Sequence, residues 1–392
     1  MLMTANFMNT IITTKIHTFL HTRQGHFMAG NKALQRAAKA QQDEFYTSMS
    51  DIQEEMYHYK EHFRGAKILC NCDDPYESQF FYYFAMNFNF YGLAKLTATC
   101  YAGSPIAHQQ LTFGFDDPDT PPRKRKPYCA EITDFQDYNG DTATDFLDLQ
   151  YMLTHNVGSN VRELQGDGDF RSPECVRLLE DADIVITNPP HSLLREYIAM
   201  LMKYGKKFLI LGNINAVTYK EIFPLFMHNK MWMGLSIHSG DRKFYVPEYY
   251  PLEAAGCGID DKGRRFIRVK GVRWFTNLAV KEMREFLPLF RKYSDSPEDY
   301  PHYDNYDAIE VSRTDDIPCD YDGVMGVPIT FMDKYNPEQF EILGITEKES
   351  PYAIGKGKHD RPYINGKRLY ARILIRKIAE RTKIYSIIHH GV

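Results

Sequence analysis

The stretch "DADIVITNPPHSLLREYIAML", residues 181–201, contains an apolar run that stops at Asn188 and is followed by two prolines and a histidine. Ile184, Val185 and Ile186 form a short β-branched run before the stop. Such a run is typical of a strand that is buried on both faces of a parallel sheet. The sequence therefore predicts a buried strand that ends on an amide side chain.

A helix and a second strand are predicted after the prolines. Apolar residues recur at helical spacing there, with Ser192 placed to cap the helix and Gly205 placed to end it. The run "KKFLILGN", residues 206–213, predicts the next strand. The tetrapeptide "NPPH" at 188–191 is thus expected at the carboxyl end of a strand, where open α/β sheets bind their ligands.

The two prolines predict a rigid corner that can only accept hydrogen bonds, because each fixes φ and lacks an N–H group. Asn188 offers a side-chain carbonyl and Pro189 a backbone carbonyl, and both can face one exocyclic amine. The ring of His191 is placed to lie on a planar base. The alternative is that "NPP" is only a stiff turn, because Asn-Pro is a common turn signal.

Composition indicates a globular chain. The 392 residues are 43% hydrophobic and 14% aromatic, which suits a sizeable core and roughly two or three domains. Seven cysteines in no zinc-like spacing predict free thiols in a reducing cytoplasm. No window approaches the run of about 18 apolar residues that a membrane span needs. Residues 1–27 are Thr- and His-rich and are predicted to be a poorly ordered extension.

Charge is unevenly distributed although the net charge is only −4. Residues 294–350 are mainly acidic, whereas residues 353–392 and the block "KGRRFIRVKGVR" at 262–273 are mainly basic. Basic residues interleaved with apolar and aromatic ones suit a structured phosphate-binding surface, and a merely solvated face is the alternative. The candidate nucleic-acid contacts are Arg264, Arg265, Arg268, Arg372, Arg376 and Lys377.

Three further predicted strands end in polar residues. They are found in "AKILCNCDDPYES" at 66–78, "LAKLTATCYAGSP" at 93–105 and "LQGDGDFRSPE" at 164–174. Strand, polar tip and helix in succession predict a doubly wound α/β domain that holds a nucleoside. The sequence contains neither G-x-G-x-x-G nor G-x-x-x-x-G-K-[ST], so a dinucleotide and a P-loop triphosphate are both disfavoured.

Ordered blocks along the chain resemble the EcoRI-type family of adenine-specific DNA methyltransferases. The blocks are "DEFYT" at 43–47, "NCDDPYESQFF" at 71–81, "GDGDFRS" at 166–172, "TNPPHSLLREY" at 187–197, "GNINAVTYKEIFPL" at 212–225, "WFTNL" at 274–278 and "YDGVMGVPITF" at 321–331. The resemblance implies transfer of a methyl group from S-adenosylmethionine to the N6 amine of a flipped adenine in DNA.

The resemblance also implies an architecture and partners. The expected fold is α/β, with a Rossmann-like S-adenosylmethionine-dependent methyltransferase sheet in residues 28–285 and a C-terminal target-recognition region in residues 286–392. DNA is the expected partner, and a cognate restriction endonuclease of a restriction-modification system is a candidate one. Neither a metal nor a membrane is expected.

Cofactor-binding residues are implied block by block. The resemblance gives the methionine end of S-adenosylmethionine to the first block and the cofactor adenine to an acidic-aromatic pair. The second block stands where such enzymes usually carry a Gly-rich loop. The residues concerned are Phe45, Tyr46 and Thr47 in the first block, Asn71, Asp73, Asp74 and Pro75 in the second, and Asp169 and Phe170 as the pair.

The catalytic residues implied are Asn188, Pro189, Pro190 and His191. His191 departs from the family pattern, which has Phe, Tyr or Trp at this position. Stacking of an aromatic side chain on a nucleobase is worth roughly 1–3 kcal/mol. The smaller imidazole ring is therefore expected to hold a flipped base less strongly.

An acidic stretch raises a separate hypothesis. "DYNGDTATDFLD" at 137–148 places Asp or Asn at several calcium-ligand positions of an EF-hand loop, but Thr142 stands where Gly is expected. A self-capped acidic turn is the alternative.

Three functions remain in competition. An N6-adenine DNA methyltransferase leads. An amino-methyltransferase that acts on cytosine N4 or a glutamine side chain is the second, and a non-catalytic DNA-binding protein that kept the fold is the third. The basic blocks favour DNA over a protein substrate, and the family blocks favour adenine over cytosine.

Overall fold

The computed structural model describes residues 47–72, 78–100, 127–138, 140, 144–238, 240–246, 252, 256–281, 285–346, 352–354 and 361–378. The predicted extension at 1–27 lies outside these residues. The α-helices of the described chain are α1 (Met49–Met56), α2 (Lys60–Phe63), α3 (Gln79–Met86), α4 (Phe88–Tyr91), α5 (Phe146–His155), α6 (Pro173–Asp181), α7 (Leu194–Lys203) and α8 (Phe223–Met227).

The strands alternate with these helices in the first part of the chain and follow one another after it. They are β1 (Lys67–Cys70), β2 (Lys95–Thr99), β3 (Tyr128–Ile132), β4 (Ser159–Glu163), β5 (Ile184–Thr187), β6 (Lys207–Asn213), β7 (Trp232–Met233), β8 (Asp241–Tyr245), β9 (Gly258–Ile259), β10 (Arg265–Lys270), β11 (Val272–Thr276), β12 (Ile309–Glu310), β13 (Met325–Pro328), β14 (Phe340–Ile345), β15 (Tyr363–Ile364), β16 (Lys367–Arg368) and β17 (Arg372–Lys377). The predicted α/β class is confirmed.

A large mixed sheet has the strand order β4-β3-β2-β1-β5-β6-β11-β7. Its centre, β2-β1-β5-β6, is parallel, and the strands on both sides of that centre are antiparallel. From β1 the chain moves first to β2 on one side and later to β5 on the other. The carboxyl ends of β1 and β5 therefore lie next to each other at a topological switch point, where α/β sheets form a crevice.

Side chains of the large sheet alternate between two buried layers. In β5, Ile184 and Ile186 join the cluster that contains residues of α1 and α3, whereas Val185 joins the cluster that contains residues of α6 and α7. Every residue of this strand is buried. The prediction of a strand buried on both faces is confirmed, because a different hydrophobic cluster covers each face. The parallel neighbours β1 and β6 pair with its two edges.

The helix after the prolines begins differently from the prediction. The segment His191–Leu193 forms one 3-10 turn, closed by the Leu193 amide donating to the Pro190 carbonyl at 3.0 Å. Ser192 lies inside that turn, and α7 starts without a side-chain cap. The assignment of Ser192 as the cap was wrong, because the tight turn supplies the first hydrogen bond. Gly205 ends the helix as predicted, with φ of 61°.

Smaller sheets follow in the second half of the chain. The order β8-β10-β9 forms an antiparallel three-stranded sheet, and β12-β13-β17-β14 forms a four-stranded one. A short hairpin joins β15 to β16. Gly271, with φ of 74°, turns the chain from β10 into β11. Because Val272 pairs with Asn213 at the end of β6, this turn lies at the carboxyl edge of the large sheet.

The region after residue 285 packs on the large sheet through a shared core. One hydrophobic cluster contains Val185 and Phe275 of the large sheet together with Met325 and Phe340 of the four-stranded sheet. The predicted division at 285/286 therefore separates the strands of the large sheet from those of the four-stranded sheet, but it does not separate their hydrophobic core. The domain boundary stays a prediction. None of the described helices is long and apolar enough to span a membrane.

The acidic stretch at 137–148 contains a helix cap. Asp145 is the N-cap of α5, and Asp148 accepts its backbone amide in a capping box. The buried Asp148 carboxylate also accepts the Tyr138 amide at 2.8 Å. These contacts support the self-capped turn for the described part of the stretch. Asn139 and Asp141 lie outside the described residues.

Candidate active site

The ends of β1 and β5 are tied together at the switch point. The Cys72 amide, just after β1, donates to the Thr187 hydroxyl at the end of β5 over 3.2 Å. Thr187 is fully buried. The first polar residues after these strands, Asn71 and Asn188, are therefore held at one place on the sheet edge.

Asn188 is anchored by the segment that precedes α1. Its side chain is buried, and its Nδ2 donates to the Thr47 hydroxyl at 3.4 Å. Thr47, which is also buried, thus contacts the predicted catalytic amide. Its predicted contact with the methionine end of the cofactor stays a prediction. With the nitrogen directed at Thr47, the carbonyl Oδ1 is the acceptor atom on the other side of the amide.

Asn71 is fixed by contacts from two other elements. The Tyr197 hydroxyl, on α7, donates to Asn71 Oδ1. The Thr99 hydroxyl, at the end of β2, donates to the Asn71 backbone carbonyl at 3.2 Å. Asn71 is only 4% exposed, and its Nδ2 has no hydrogen-bond partner among the described residues. Since buried polar atoms are normally paired, this nitrogen is a donor available to a bound molecule.

The "GDGDF" turn is pressed against the end of β2. Gly168 has φ of 78°, and a Cβ atom there would lie 2.3 Å from the Cys100 carbonyl oxygen. Only glycine allows this approach. The turn carries Phe170, which is buried and meets the Tyr197 ring edge-to-face with 5.0 Å between ring centroids. Tyr197 thus contacts two predicted cofactor-binding residues, Asn71 and Phe170.

Asp169 is engaged by its neighbour Arg171. The Arg171 guanidinium donates to both carboxylate oxygens, at 2.9 and 2.7 Å, and also to Glu196 on α7 at 2.8 Å. It lies over the Phe170 ring, 5.1 Å from the centroid. The hydrogen bonds from Arg171 hold the pKa of Asp169 below its ordinary value. An adenine amine that binds Asp169 would share the carboxylate with Arg171.

Comparison with known proteins identifies the family of this chain. A family model described as "Adenine-specific methyltransferase EcoRI" matches residues 33–378. The chain belongs to this family. It is similar to Type II methyltransferase M.EcoRI of Escherichia coli, with 45% identity over 89% of this chain and 97% of the relative. No solved structure matches the chain.

Two relatives from mycoplasmas are more distant. Type II methyltransferase M.MgeORF184P of Mycoplasma genitalium is 33% identical over 87% of this chain and 98% of its own. Type II methyltransferase M.MpnI of Mycoplasma pneumoniae is 32% identical over 87% of this chain and 97% of its own. The predicted resemblance is confirmed, and so is the prediction of a site-specific, adenine-specific DNA methyltransferase.

The three-stranded sheet of this methyltransferase packs one side on the core, and the other side carries basic and aromatic residues. Phe244, Ile267 and Val269 of the core-facing side are buried. The opposite side, which we call the basic–aromatic face, consists of Lys243, Tyr245, Arg264, Phe266 and Arg268. On it the Lys243 ammonium lies 4.0 Å from the Phe266 ring centroid, and the Arg264 guanidinium lies 4.0 Å from that of Tyr245.

Two carboxylates reduce the charge of the basic–aromatic face. Asp260 pairs with Arg264 at 2.9 Å and lies 3.9 Å from Lys243. Asp241 lies 3.7 Å from Arg268. These pairs neutralise part of the positive charge of Lys243, Arg264 and Arg268.

Arg265 lies on the other side of that sheet from Arg264 and Arg268, because side chains alternate along β10. Of the basic residues predicted here, only Arg264 and Arg268 are therefore brought together on the basic–aromatic face. Lys243 was not predicted from the sequence. The alternation in "DRKFY" at 241–245 is the signal that could have found it.

The predicted contacts on β17 have partners within the fold. Arg372 is largely buried and donates to both oxygens of Glu310, at 2.7 and 3.0 Å. Arg376 pairs with Glu341 at 2.9 Å, and Lys377 donates to the Cys319 carbonyl. Arg372 thus has a structural role in this sheet. Sequence could not show this, because Glu310 lies 62 residues away along the chain.

Several predicted cofactor residues lie outside the described part of the chain. They are Phe45, Tyr46, Asp73, Asp74 and Pro75. Within the described part, Tyr197 contacts the candidate site through Asn71 and Phe170, although the sequence indicated only the apolar spacing of its helix. Its place in the sequence gives no sign of the hydroxyl's partner, because Asn71 is 126 residues away.

Proposed function

We propose that this methyltransferase transfers a methyl group to the N6 amine of an adenine turned out of duplex DNA. The observation that carries the proposal is the buried Asn188 and the proline corner after β5, beside the end of β1 at the switch point. The parallel centre of the large sheet would be a Rossmann-like methyltransferase sheet. Residues 286–392 would form the target-recognition region.

The chemistry proposed for the corner is electrostatic. The Asn188 Oδ1 and the Pro189 carbonyl accept hydrogen bonds that the N6 amine of the target adenine donates through its two hydrogens. Two acceptors on the amine draw the nitrogen toward a tetrahedral geometry and stabilise the positive charge that develops on it. Extrusion of the base costs a few kcal/mol, which the ring of His191 offsets in part by stacking. The Thr47 hydroxyl keeps the amide turned so that its oxygen faces the base.

S-adenosylmethionine is the proposed methyl donor, and it supplies an electrophilic methyl group to the amine. The residues present fit it. Asn71 offers a buried donor, and Asp169 and Phe170 offer a carboxylate and a ring on the neighbouring turn. The carboxyl edge of the sheet is the place where such folds hold nucleosides. A cytoplasmic location suits a protein that takes DNA and a small metabolite as its substrates.

DNA would be held by the basic–aromatic face. This face belongs to the sheet that joins β11 at the carboxyl edge, the edge that carries Asn188. Cations stacked on aromatic rings suit a structured phosphate-binding surface. The type II names of the relatives support a place in a restriction-modification system, with a cognate endonuclease that reads the same sequence.

The test is methyl transfer to DNA by the purified protein. Wild-type protein should produce N6-methyladenine at one sequence, read by single-molecule sequencing. Asn188→Ala should abolish transfer and leave the Kd for S-adenosylmethionine within about tenfold, because the removed acceptor faces the target base. Asn160→Ala, an exposed asparagine on the edge strand β4, is the matched control and should be fully active.

The outcomes separate the competing functions. Full activity of Asn188→Ala would place the catalytic corner elsewhere. A wild-type protein that binds DNA without methylating it would favour a non-catalytic DNA-binding role. N4-methylcytosine in the product would favour the cytosine enzyme.

A further inference from the structure

Tyr197 connects two of the proposed cofactor-binding residues, Asn71 and Phe170. It lies on α7, fully buried, with its ring against Phe170 and its hydroxyl on Asn71. A buried tyrosine hydroxyl normally finds a partner. Here the partner is the side-chain amide of Asn71, directly after β1. Helix α7, which follows the proposed catalytic tetrapeptide, therefore holds a residue at the end of β1.

The Asn71 amide has a defined orientation. Two donors point at its Oδ1, the Tyr197 hydroxyl and the Cys72 thiol, whose sulfur lies 3.9 Å away. The oxygen is therefore the atom used inside the protein. The nitrogen is buried and has no hydrogen-bond partner among the described residues. A buried donor left unmatched costs free energy, which a ligand acceptor would recover.

We infer that Tyr197 is a positioning residue for the cofactor: it orients the Asn71 amide so that Nδ2 donates to an acceptor oxygen of S-adenosylmethionine. The inference rests on the proposed methyl donor and adds to it a residue that touches neither the cofactor nor the reacting atoms. Without the hydroxyl, the amide can turn over and offer its oxygen to the ligand. A carbonyl oxygen facing an acceptor would weaken binding.

The experiment measures equilibrium binding of S-adenosylhomocysteine by calorimetry. Tyr197→Phe keeps the ring against Phe170 and removes only the hydroxyl. The Kd should rise about tenfold, the equivalent of one hydrogen bond at a buried group. In turnover, the KM for S-adenosylmethionine should rise with kcat unchanged within about twofold, since the ground state and the transition state lose the same binding energy. Tyr59→Phe removes another buried hydroxyl, the one on Glu55, and should leave the Kd unchanged.

A double-mutant cycle separates positioning from packing. Asn71→Ala alone should raise the Kd at least as much as Tyr197→Phe does. In the Asn71→Ala background, Tyr197→Phe should have no further effect, because the amide it orients is gone. An equal effect in both backgrounds would overturn the inference in favour of a packing role.

Other outcomes also decide the matter. If the wild type binds S-adenosylhomocysteine and Tyr197→Phe binds it equally well, the inference is overturned. The proposed methyl donor would still stand. Should Tyr197→Phe fail to fold, Asn71→Ala with a wild-type Kd would overturn it as well. A wild-type protein that binds neither S-adenosylmethionine nor S-adenosylhomocysteine would overturn the proposed methyl donor and the inference together.

Discussion

His191 follows the two prolines and begins the 3-10 turn that leads into α7. The turn fixes its backbone, and the residue is half-buried at the carboxyl edge of the sheet. In the proposed reaction, the ring of His191 would lie on the base whose amine is held by Asn188 and Pro189. Imidazole provides less stacking area than a benzene or indole ring.

We expect His191→Phe to retain or raise activity, because a larger ring adds to a stacking free energy of roughly 1–3 kcal/mol. The measurement is kcat/KM on an unmethylated duplex, together with the Kd for S-adenosylhomocysteine. His191→Ala should lose activity while its cofactor affinity stays unchanged. An inactive His191→Phe with intact cofactor affinity would show that the imidazole makes a specific hydrogen bond.

At the scale of elements, β10 carries two kinds of side chain on its two faces. Ile267 and Val269 are buried in the core, while Phe266 and Arg268 face outward. The cross-strand neighbour Tyr245 completes the aromatic surface under the cations. The same strand therefore both attaches the small sheet to the core and presents the proposed DNA-binding surface.

Neutralising this face should weaken DNA binding. We expect Lys243, Arg264 and Arg268 changed together to Gln to flatten the dependence of log K on log salt by roughly 0.9 for each phosphate that the protein no longer neutralises. The measurement is fluorescence anisotropy with a labelled duplex at several salt concentrations.

The matched control removes the same charge at the amino edge of the large sheet, in the exposed Lys203, Lys207 and Lys230. These three changes to Gln should leave the salt dependence as it is in the wild type. If both triple variants alter the slope equally, the effect reflects general charge and the basic–aromatic face has no special role.

At the scale of the whole molecule, a buried ion pair crosses between the two predicted regions. Arg273, on β11, donates to both oxygens of Asp333 at 2.8 Å, and both side chains are at most 5% exposed. The Arg273 guanidinium also donates to the His238 and Val272 carbonyls. Burial raises the pKa of Asp333 above its ordinary value. The pair therefore fastens the C-terminal region to the edge of the large sheet.

Arg273→Met should lower the free energy of unfolding by about 3–5 kcal/mol at neutral pH, because it leaves a buried carboxylate unpaired. The defect should shrink as the pH is lowered. Burial raises the folded-state pKa of Asp333 above the unfolded value, and the variant lacks the charge that opposes this rise. The variant therefore gains stability as Asp333 is protonated and loses it as the pH rises.

Urea denaturation between about pH 5 and 8 measures this change in unfolding free energy. Arg376→Met, which breaks the exposed pair with Glu341, is the control and should cost less than about 1 kcal/mol at any pH. Equal losses in the two variants would mean that the buried pair contributes no more than a surface one.

The sequence by itself determined the elements that local patterns specify. The β-branched run before Asn188 predicted the central strand, because a strand that is buried on both faces is typically apolar at successive positions. The polar residues after each predicted strand indicated the edge where the candidate site lies, since parallel strands point their carboxyl ends the same way. The ordered blocks indicated the family, which the comparison confirmed.

Only the tertiary structure decided which distant side chains meet. Tyr197 has the pattern of one more apolar helix position, and its hydroxyl acquires a role because α7 packs beside the end of β1. Arg372 belongs to a segment whose sequence resembles a basic tail, yet in the fold it pairs with Glu310 in the interior. In both cases the local pattern records the polarity of a residue but not its partner. The partner is set by strand order and helix packing, which bring together segments that are far apart in the chain.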